Sequence, residues 1–248
     1  MAAADYALAD NLQENINRFF PYLVEIRKRV LFLFSLFLIF GVFGFVYYEK
    51  IIVFVLKLLR LQNVNVVFTS PFQFINLATN SGIVLGVTAV FPLIIFQVVS
   101  FLKPALRPKE YHSLLALLPI SLLLFVTGFI FGGTMMKYVI DIFFKKSVEL
   151  HIGTVLDISA LLSNILNTSA LMGLAFQFPI VLTVLMHLKV LKHKTIAKQR
   201  PFVYCAALVF VLLLPPTDIF TDLLLALPLV FLFEITLILN KVFNKNAN

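Results

Sequence analysis

The residues of this sequence that could do chemistry are charged side chains beside apolar segments, and the densest group lies between Phe20 and Arg29. Within it Glu25 is followed by Arg27, Lys28 and Arg29. If the chain is a membrane protein, this stretch must lie at the membrane surface, because each ionic group costs roughly 2.5–3.5 kcal/mol at the bilayer centre. On a helix, Glu25 lies one turn before Lys28 and Arg29, which predicts an internal ion pair. The alternative is that Glu25 receives a cation from a binding partner.

Outside that stretch the sequence shows no residue set that is typical of catalysis or metal binding. The four histidines have no ligand-like spacing with one another or with the single cysteine, Cys205. No Ser/His/Asp or Cys/His set and no Gly-rich phosphate loop is visible. One cysteine also excludes an internal disulfide. We therefore expect binding or transport rather than an enzyme, with no cofactor and no metal.

The composition predicts the element type that must position these charges. The 248 residues are 61% hydrophobic and 13% charged, and the mean hydropathy is +1.01. Soluble domains are about 45–50% apolar and about 25% charged, so we predict an all-α, polytopic membrane protein. We expect a single transmembrane domain over residues 1–248, with a short polar N-terminal segment at 1–18. The net charge of +8 then reflects topology and anionic lipid, and no nucleic-acid partner is expected.

Six apolar segments predict six transmembrane helices, at about residues 30–48, 82–102, 114–136, 160–188, 202–214 and 219–239. The fifth would be only roughly 20 Å long, so a re-entrant segment is the alternative to a span through thinned bilayer. In the six-span topology most of the 20 lysines and arginines share the side of the N-terminus, which predicts that both termini are cytoplasmic. Residues 51–61 predict a helix on the outer surface, and the outer loop 137–159 is similar.

Polar residues at membrane depth are further candidates for function. Gln177 lies two residues before Pro179, which frees a backbone carbonyl and predicts a kink that helps to form a concave cup. Other amides and hydroxyls of the fourth segment are explained as well by helix–helix hydrogen bonds. Asp218 and Asp222 lie at the start of the sixth segment, where the helix dipole favours carboxylates. Glu234, near its inner end, could pair with a basic loop.

Four motifs stand in order along the chain: residues 22–29 read YLVEIRKR, 97–110 read QVVSFLKPALRPKE, 198–202 read KQRPF and 215–222 read PPTDIFTD. They resemble those of the TatC family, the multispan receptor of the twin-arginine protein translocation system. Tyr22, Gln177 and Asp222 stand where the family usually has His, Glu and Gln. The resemblance covers nearly the whole chain and agrees with the six segments and their sidedness.

The resemblance implies a signal-peptide receptor and core subunit of a twin-arginine translocase that exports folded proteins across an energised membrane. It assigns signal-peptide binding to Glu25, Glu110, Arg27 and Phe101, with the two carboxylates meeting the two guanidiniums of the signal. It thereby favours the receptor role of Glu25 over the internal ion pair. It places Gln177 at a contact with partner helices. Further motif positions of structural or functional importance are Pro71, Pro104, Arg200, Pro201 and Asp218.

The implied partners are twin-arginine signal peptides, single-span proteins of the TatA/TatB type and membrane lipid, in an oligomeric complex. Because no ATPase motif is present, the proton motive force would drive transport. A bacterial inner membrane is expected, with an organellar membrane as the alternative. The competing function is a secondary transporter of a small solute or ion, which predicts internal repeats and charged residues at mid-membrane. A third hypothesis is a structural or assembly factor without a transport role.

Overall fold

The computed structural model is a bundle of helices, and it describes residues 2–59, 66–67, 70–106, 108–151, 156–188, 190–191, 193–214 and 219–245. Side chains are described from Phe20 onward, with gaps that include Glu110. The helices are α1 Ala2–Val46, α2 Tyr48–Leu59, α3 Gln73–Leu102, α4 Pro108–Leu115, α5 Leu117–Glu149, α6 Ile158–Ala175, α7 Phe178–His187, α8 His193–Lys198, α9 Arg200–Leu212 and α10 Ile219–Lys245. Two short strands, β1 Val66–Val67 and β2 Leu156–Asp157, pair in parallel.

Five helical segments of the described chain are long and apolar enough to cross a membrane: Phe20–Val46, Gln73–Leu102, Leu117–Glu149, Ile158–His187 and Ile219–Lys241. They match five of the six predicted spans, so the all-helical membrane fold is confirmed. The remaining apolar helix, α9, has only 13 residues. That α9 crosses the membrane, and the side assigned to each loop, stay predictions.

The third span differs from its prediction, because α5 continues to Glu149 instead of ending near residue 136. Lys137, Lys145 and Lys146 end the apolar run, but lysine is a good helix former and does not end the helix. A helix of this length is about 50 Å long, whereas the hydrocarbon core is about 30 Å thick. Residues 137–149 are therefore helical and continuous with the third span, whereas the sequence predicted a separate outer segment from residue 137.

The fourth span is broken where the sequence predicted a kink. Between α6 and α7, Phe176 and Gln177 lie outside regular helix, and Pro179 follows in the first turn of α7. The backbone N–H of Gln177 donates to the carbonyl of Leu174, three residues back, at 3.0 Å. Because proline lacks an N–H, the α-helical ladder cannot continue regularly through this point. The break confirms the predicted kink.

The helices approach one another most closely at glycines. A Cβ on Gly44 of α1 would lie 2.8 Å from the Cα of Gly82 in α3, and one on Gly82 would lie 2.7 Å from the carbonyl oxygen of Gly41. A Cβ on Gly132 of α5 would lie 2.8 Å from the carbonyl oxygen of Thr168 in α6. Any larger residue would push these backbones apart. The α1–α3 and α5–α6 contacts therefore form tightly packed helix pairs.

The ends of α3 and α6 that lie farthest from Glu25 are connected by polar contacts. The Gln73 side chain donates to the carboxylate of Asp157. The other oxygen of that carboxylate accepts hydrogen bonds from the backbone N–H groups of Ser159 and Ala160, at 2.8 and 3.1 Å. Asp157 is thus the N-cap of α6 and also its connection to α3.

Candidate functional site

The candidate site begins on α1, where Glu25 and Arg29 face each other across one helical turn. The Nη2 and Nε of Arg29 donate to the same carboxylate oxygen, Oε1 of Glu25, at 2.6 and 3.1 Å. The Glu25 side chain is 44% exposed and that of Arg29 only 22%. The internal ion pair predicted for Glu25 is confirmed, and Glu25 is the more exposed of the two side chains.

Arg29 also joins α1 to the end of α3. Its Nη1 donates to the backbone carbonyl of Gln97 at 3.0 Å and to the side-chain Oε1 of Gln97 at 2.5 Å. Its Cζ lies 5.9 Å from the centre of the Phe101 ring, one turn further along α3. A guanidinium over an aromatic face is an attractive cation–π contact. Arg29 therefore holds Glu25, Gln97 and Phe101 in one cluster, which we call the α1–α3 cluster.

The α1–α3 cluster has one carboxylate among several cations. Arg27 and Lys28 are exposed on the same turn of α1. Both hydrogen bonds from Arg29 go to Oε1 of Glu25, and Oε2 has no hydrogen-bond partner among the described residues. A half-exposed carboxylate with a free oxygen can accept hydrogen bonds from an added cation. Chemically, the site can thus accept a cationic group.

The second carboxylate expected in the site, Glu110, lies in α4 by its backbone, but its side chain is outside the described residues. Leu114 anchors α4, since it is fully buried against Val99 at the end of α3 and Ile180 of α7. Pro104 lies exposed in the short 3-10 turn Lys103–Ala105 that leaves α3. That Glu25 and Glu110 face the same ligand stays a prediction.

Gln177 lies inside the bundle rather than on a surface. It is 2% exposed, its Oε1 accepts a hydrogen bond from the hydroxyl of Ser121 at 2.8 Å, and its Nε2 donates to the carbonyl of Ser121 at 2.8 Å. The amide therefore fastens the break in the fourth span to α5. A direct contact with partner helices, expected for this residue, stays a prediction, and here both ends of the amide already bind Ser121. No sequence signal identifies Ser121 as the partner.

A second ion pair connects α9 to α10. Nη2 of Arg200 lies 3.2 Å from Oε2 of Glu234, and the Tyr204 hydroxyl donates to Oε1 of Glu234 at 2.5 Å. The predicted pairing of Glu234 with a basic loop is confirmed in Arg200, which follows that loop. Pro201 lies in the first turn of α9, where its missing N–H leaves no helical bond unmade. Sequence reasoning missed Tyr204.

The remaining motif positions lie at the starts of other helices or outside the described residues. Pro71 is exposed just before α3 begins. Asp222 lies in the first turn of α10, whereas Asp218 is outside the described residues. Over the part of the chain that the structure describes, no group of three or more His, Cys, Asp or Glu side chains could hold a metal ion.

Comparison with known proteins gives one consistent result. The family model for the Sec-independent protein translocase protein (TatC) matches residues 21–228. The protein is 29% identical over 233 residues to the Sec-independent protein translocase protein TatCy of Bacillus subtilis, covering 91% of this chain and 89% of that one. It is 28% identical over 229 residues to TatC of Aquifex aeolicus, covering 89% and 93%.

A solved structure agrees with these sequence matches. A crystal structure of the twin arginine translocase receptor TatC in DDM superposes with a TM-score of 0.74 at 27% identity, covering 88% of this chain and 98% of that one. The family model and the helix arrangement therefore agree, and the chain belongs to the TatC family of Sec-independent protein translocase proteins.

Proposed function

We propose that this protein is the signal-peptide receptor and core subunit of a twin-arginine translocase, and that Glu25 receives an arginine of the signal. The observation that carries the proposal is the Glu25 carboxylate, which is half-exposed with Oε2 unpartnered among the described residues. Its family and its spanning helices make the protein an integral membrane protein of the bacterial inner membrane. The name of the superposed TatC structure, a twin arginine translocase receptor, supports the same role.

Binding is electrostatic and geometric. A guanidinium of the signal donates in-plane N–H groups to Oε2 of Glu25, and Glu110 on α4 takes the second arginine. A charge-assisted hydrogen bond of this kind is about twice as strong as a neutral one, and a lysine ammonium lacks the planar, directed N–H groups that a guanidinium brings to the remaining oxygen. Phe101 supplies an aromatic face, which Arg29 already uses at 5.9 Å. Arg27, exposed on the same turn, is placed to contact the signal backbone.

The rest of the chain serves transport after binding. The apolar part of the signal lies along the cup formed by the kinked spans, and single-span proteins of the TatA/TatB type join the complex. The proton motive force drives the passage of the folded substrate, with no enzymatic step in this chain. A secondary transporter of a small solute is not favoured, because the family match covers residues 21–228.

The test is binding of synthetic signal peptides to purified protein in detergent. Glu25→Gln and Glu110→Gln keep the side-chain shape and remove the charge, and each should weaken binding of a twin-arginine peptide by about 1–3 kcal/mol. The matched control is Glu149→Gln, because Glu149 is also an exposed glutamate in a short-range helical pair, with Lys146 at 3.2 Å. That control should leave binding unchanged.

The double variant decides the proposal. Both losses should be non-additive if the two carboxylates bind one rigid signal. A Glu25→Gln, Glu110→Gln protein that still prefers twin-arginine to twin-lysine peptides as strongly as the parent would contradict the proposed role of both residues.

A further inference from the structure

The receptor carboxylate of the α1–α3 cluster is already bound to an arginine of its own chain. The guanidinium of Arg29 directs Nε and Nη2 to Oε1 of Glu25, and Nη1 to the two oxygens of Gln97. When a signal arginine binds, Oε1 of Glu25 therefore already accepts hydrogen bonds from another guanidinium, that of Arg29.

Arg29 is held more firmly than Glu25. It makes four hydrogen bonds and lies over the ring of Phe101, and its side chain is 22% exposed against 44% for Glu25. Displacing it would break its contacts to Gln97 as well as those to Glu25. An added guanidinium therefore approaches the free Oε2, and both arginines share one carboxylate.

Arg29 also cancels the charge of Glu25. The remaining neighbours on α1, Arg27 and Lys28, are exposed cations, so this turn carries a net positive charge. That net charge weakens the binding of an ammonium and of a guanidinium alike, so the difference between them comes from Glu25 itself. An ammonium binds as a compact, strongly hydrated point charge and needs a carboxylate whose charge is not already cancelled. A guanidinium is more weakly hydrated and offers planar, directed N–H groups. Its hydrogen bonds to Oε2 therefore supply binding free energy even when Arg29 cancels the charge of Glu25.

We propose that Arg29 is the specificity-determining residue of this receptor: it shares Glu25 with the incoming signal and thereby makes the site discriminate arginine from lysine. The inference rests on the proposed signal-binding role of Glu25. It concerns the ratio of two affinities, whereas the proposed function concerns whether Glu25 contributes to binding at all.

The experiment compares the dissociation constants of twin-arginine and twin-lysine peptides for parent, Arg29→Gln and Lys28→Gln proteins at one salt concentration. Arg29→Gln frees Glu25 and should tighten twin-lysine binding more than twin-arginine binding, lowering the preference for arginine by about fivefold. Lys28→Gln removes the same charge from the adjacent residue, which makes no hydrogen bond or ion pair with Glu25 among the described side chains. It should tighten both peptides equally and leave the preference unchanged.

A third variant keeps the test decisive if Arg29→Gln does not fold. Arg29→Lys preserves the charge, but one nitrogen cannot reach Glu25 and both oxygens of Gln97, so the preference should fall partway. The inference is overturned if Arg29→Lys or Arg29→Gln keeps the parental preference, if Lys28→Gln lowers it equally, or if folded Arg29→Gln loses both peptides. A Glu25→Gln protein that binds as the parent does would instead contradict the proposed function.

Discussion

Two arginine–glutamate pairs of this protein differ in what their carboxylates remain able to do. In the α1–α3 cluster, Arg29 binds one oxygen of Glu25 and leaves the other without a partner among the described residues. Between α9 and α10, Glu234 uses both oxygens, one for Arg200 and one for Tyr204. The first pair lies within one helix, whereas the second joins two helices.

The comparison teaches that pairing alone does not identify a functional carboxylate. Glu25 is 44% exposed and Glu234 is 28% exposed, so burial separates them only modestly. The number of occupied oxygens separates them clearly: both oxygens of Glu234 have a protein partner, whereas only one oxygen of Glu25 has a partner among the described residues. We therefore assign Glu234 to fixing α9 against α10, and Glu25 to binding.

The largest expected effect is an all-or-none labelling pattern that tests whether both pairs share one side of the membrane. Single cysteines replacing Lys28, Lys198 and Lys146, in a Cys205→Ala background, should react with an impermeant thiol reagent. Positions 28 and 198 should label from the cytoplasmic side and position 146 from the opposite side, because the predicted topology puts four spans between positions 28 and 198 and three between positions 28 and 146. If position 198 labels with position 146, the two pairs lie on opposite sides and the six-span topology is wrong.

The second prediction compares how much each of the two glutamates contributes to the free energy of unfolding. Glu234→Ala leaves Arg200 and the Tyr204 hydroxyl without their acceptor and should lower the free energy of unfolding by about 2 kcal/mol. Glu25→Ala removes a half-exposed pair within one helix and should cost only about 0.3–0.5 kcal/mol. Unfolding in mixed micelles measures both. Equal losses for the two variants would erase the distinction between them.

An effect smaller than that of Glu234→Ala isolates the contact that the α1–α3 cluster lacks. Tyr204→Phe removes the hydroxyl that binds Oε1 of Glu234 at 2.5 Å and keeps the ring, which packs edge-on against Phe233 at 6.1 Å. Because Arg200 still binds the carboxylate, the loss of unfolding free energy should be about 1 kcal/mol. An unchanged stability would show that Oε1 of Glu234 needs no protein donor, and Glu234 would then resemble Glu25.

Sequence reasoning succeeded where one segment determines its own structure. The apolar runs predict five of the spanning helices, the spacing from Glu25 to Arg29 predicts their ion pair, and Pro179 predicts the break in the fourth span. Each depends on residues within a few positions of one another, where helix geometry fixes the outcome.

It did not predict contacts between distant segments. Arg29 reaches Gln97, the first residue of the motif at 97–110, but nothing in that motif indicates Arg29 as its partner. Gln177 binds Ser121 through both ends of its amide, and Ser121 lies in none of the four motifs. These pairings depend on which helices pack together and in what register. The length of α5 was not predicted for another reason: Lys137 and Lys145 end the apolar run, but lysine is a good helix former and the helix continues.

The glycine contact between α1 and α3 sets an angular tolerance for the α1–α3 cluster. Gly44 and Gly82 pack with almost no space between their backbones, and α1 has no proline between Gly44 and Glu25. That stretch is a lever arm of about 28 Å, so a tilt of about one degree at the glycines moves Glu25 by about 0.5 Å relative to α3. Hydrogen bonds such as those of Arg29 with Gln97 weaken over displacements of this order. The absence of side chains at Gly44 and Gly82 thus controls the position of the Glu25 carboxylate at the opposite end of α1.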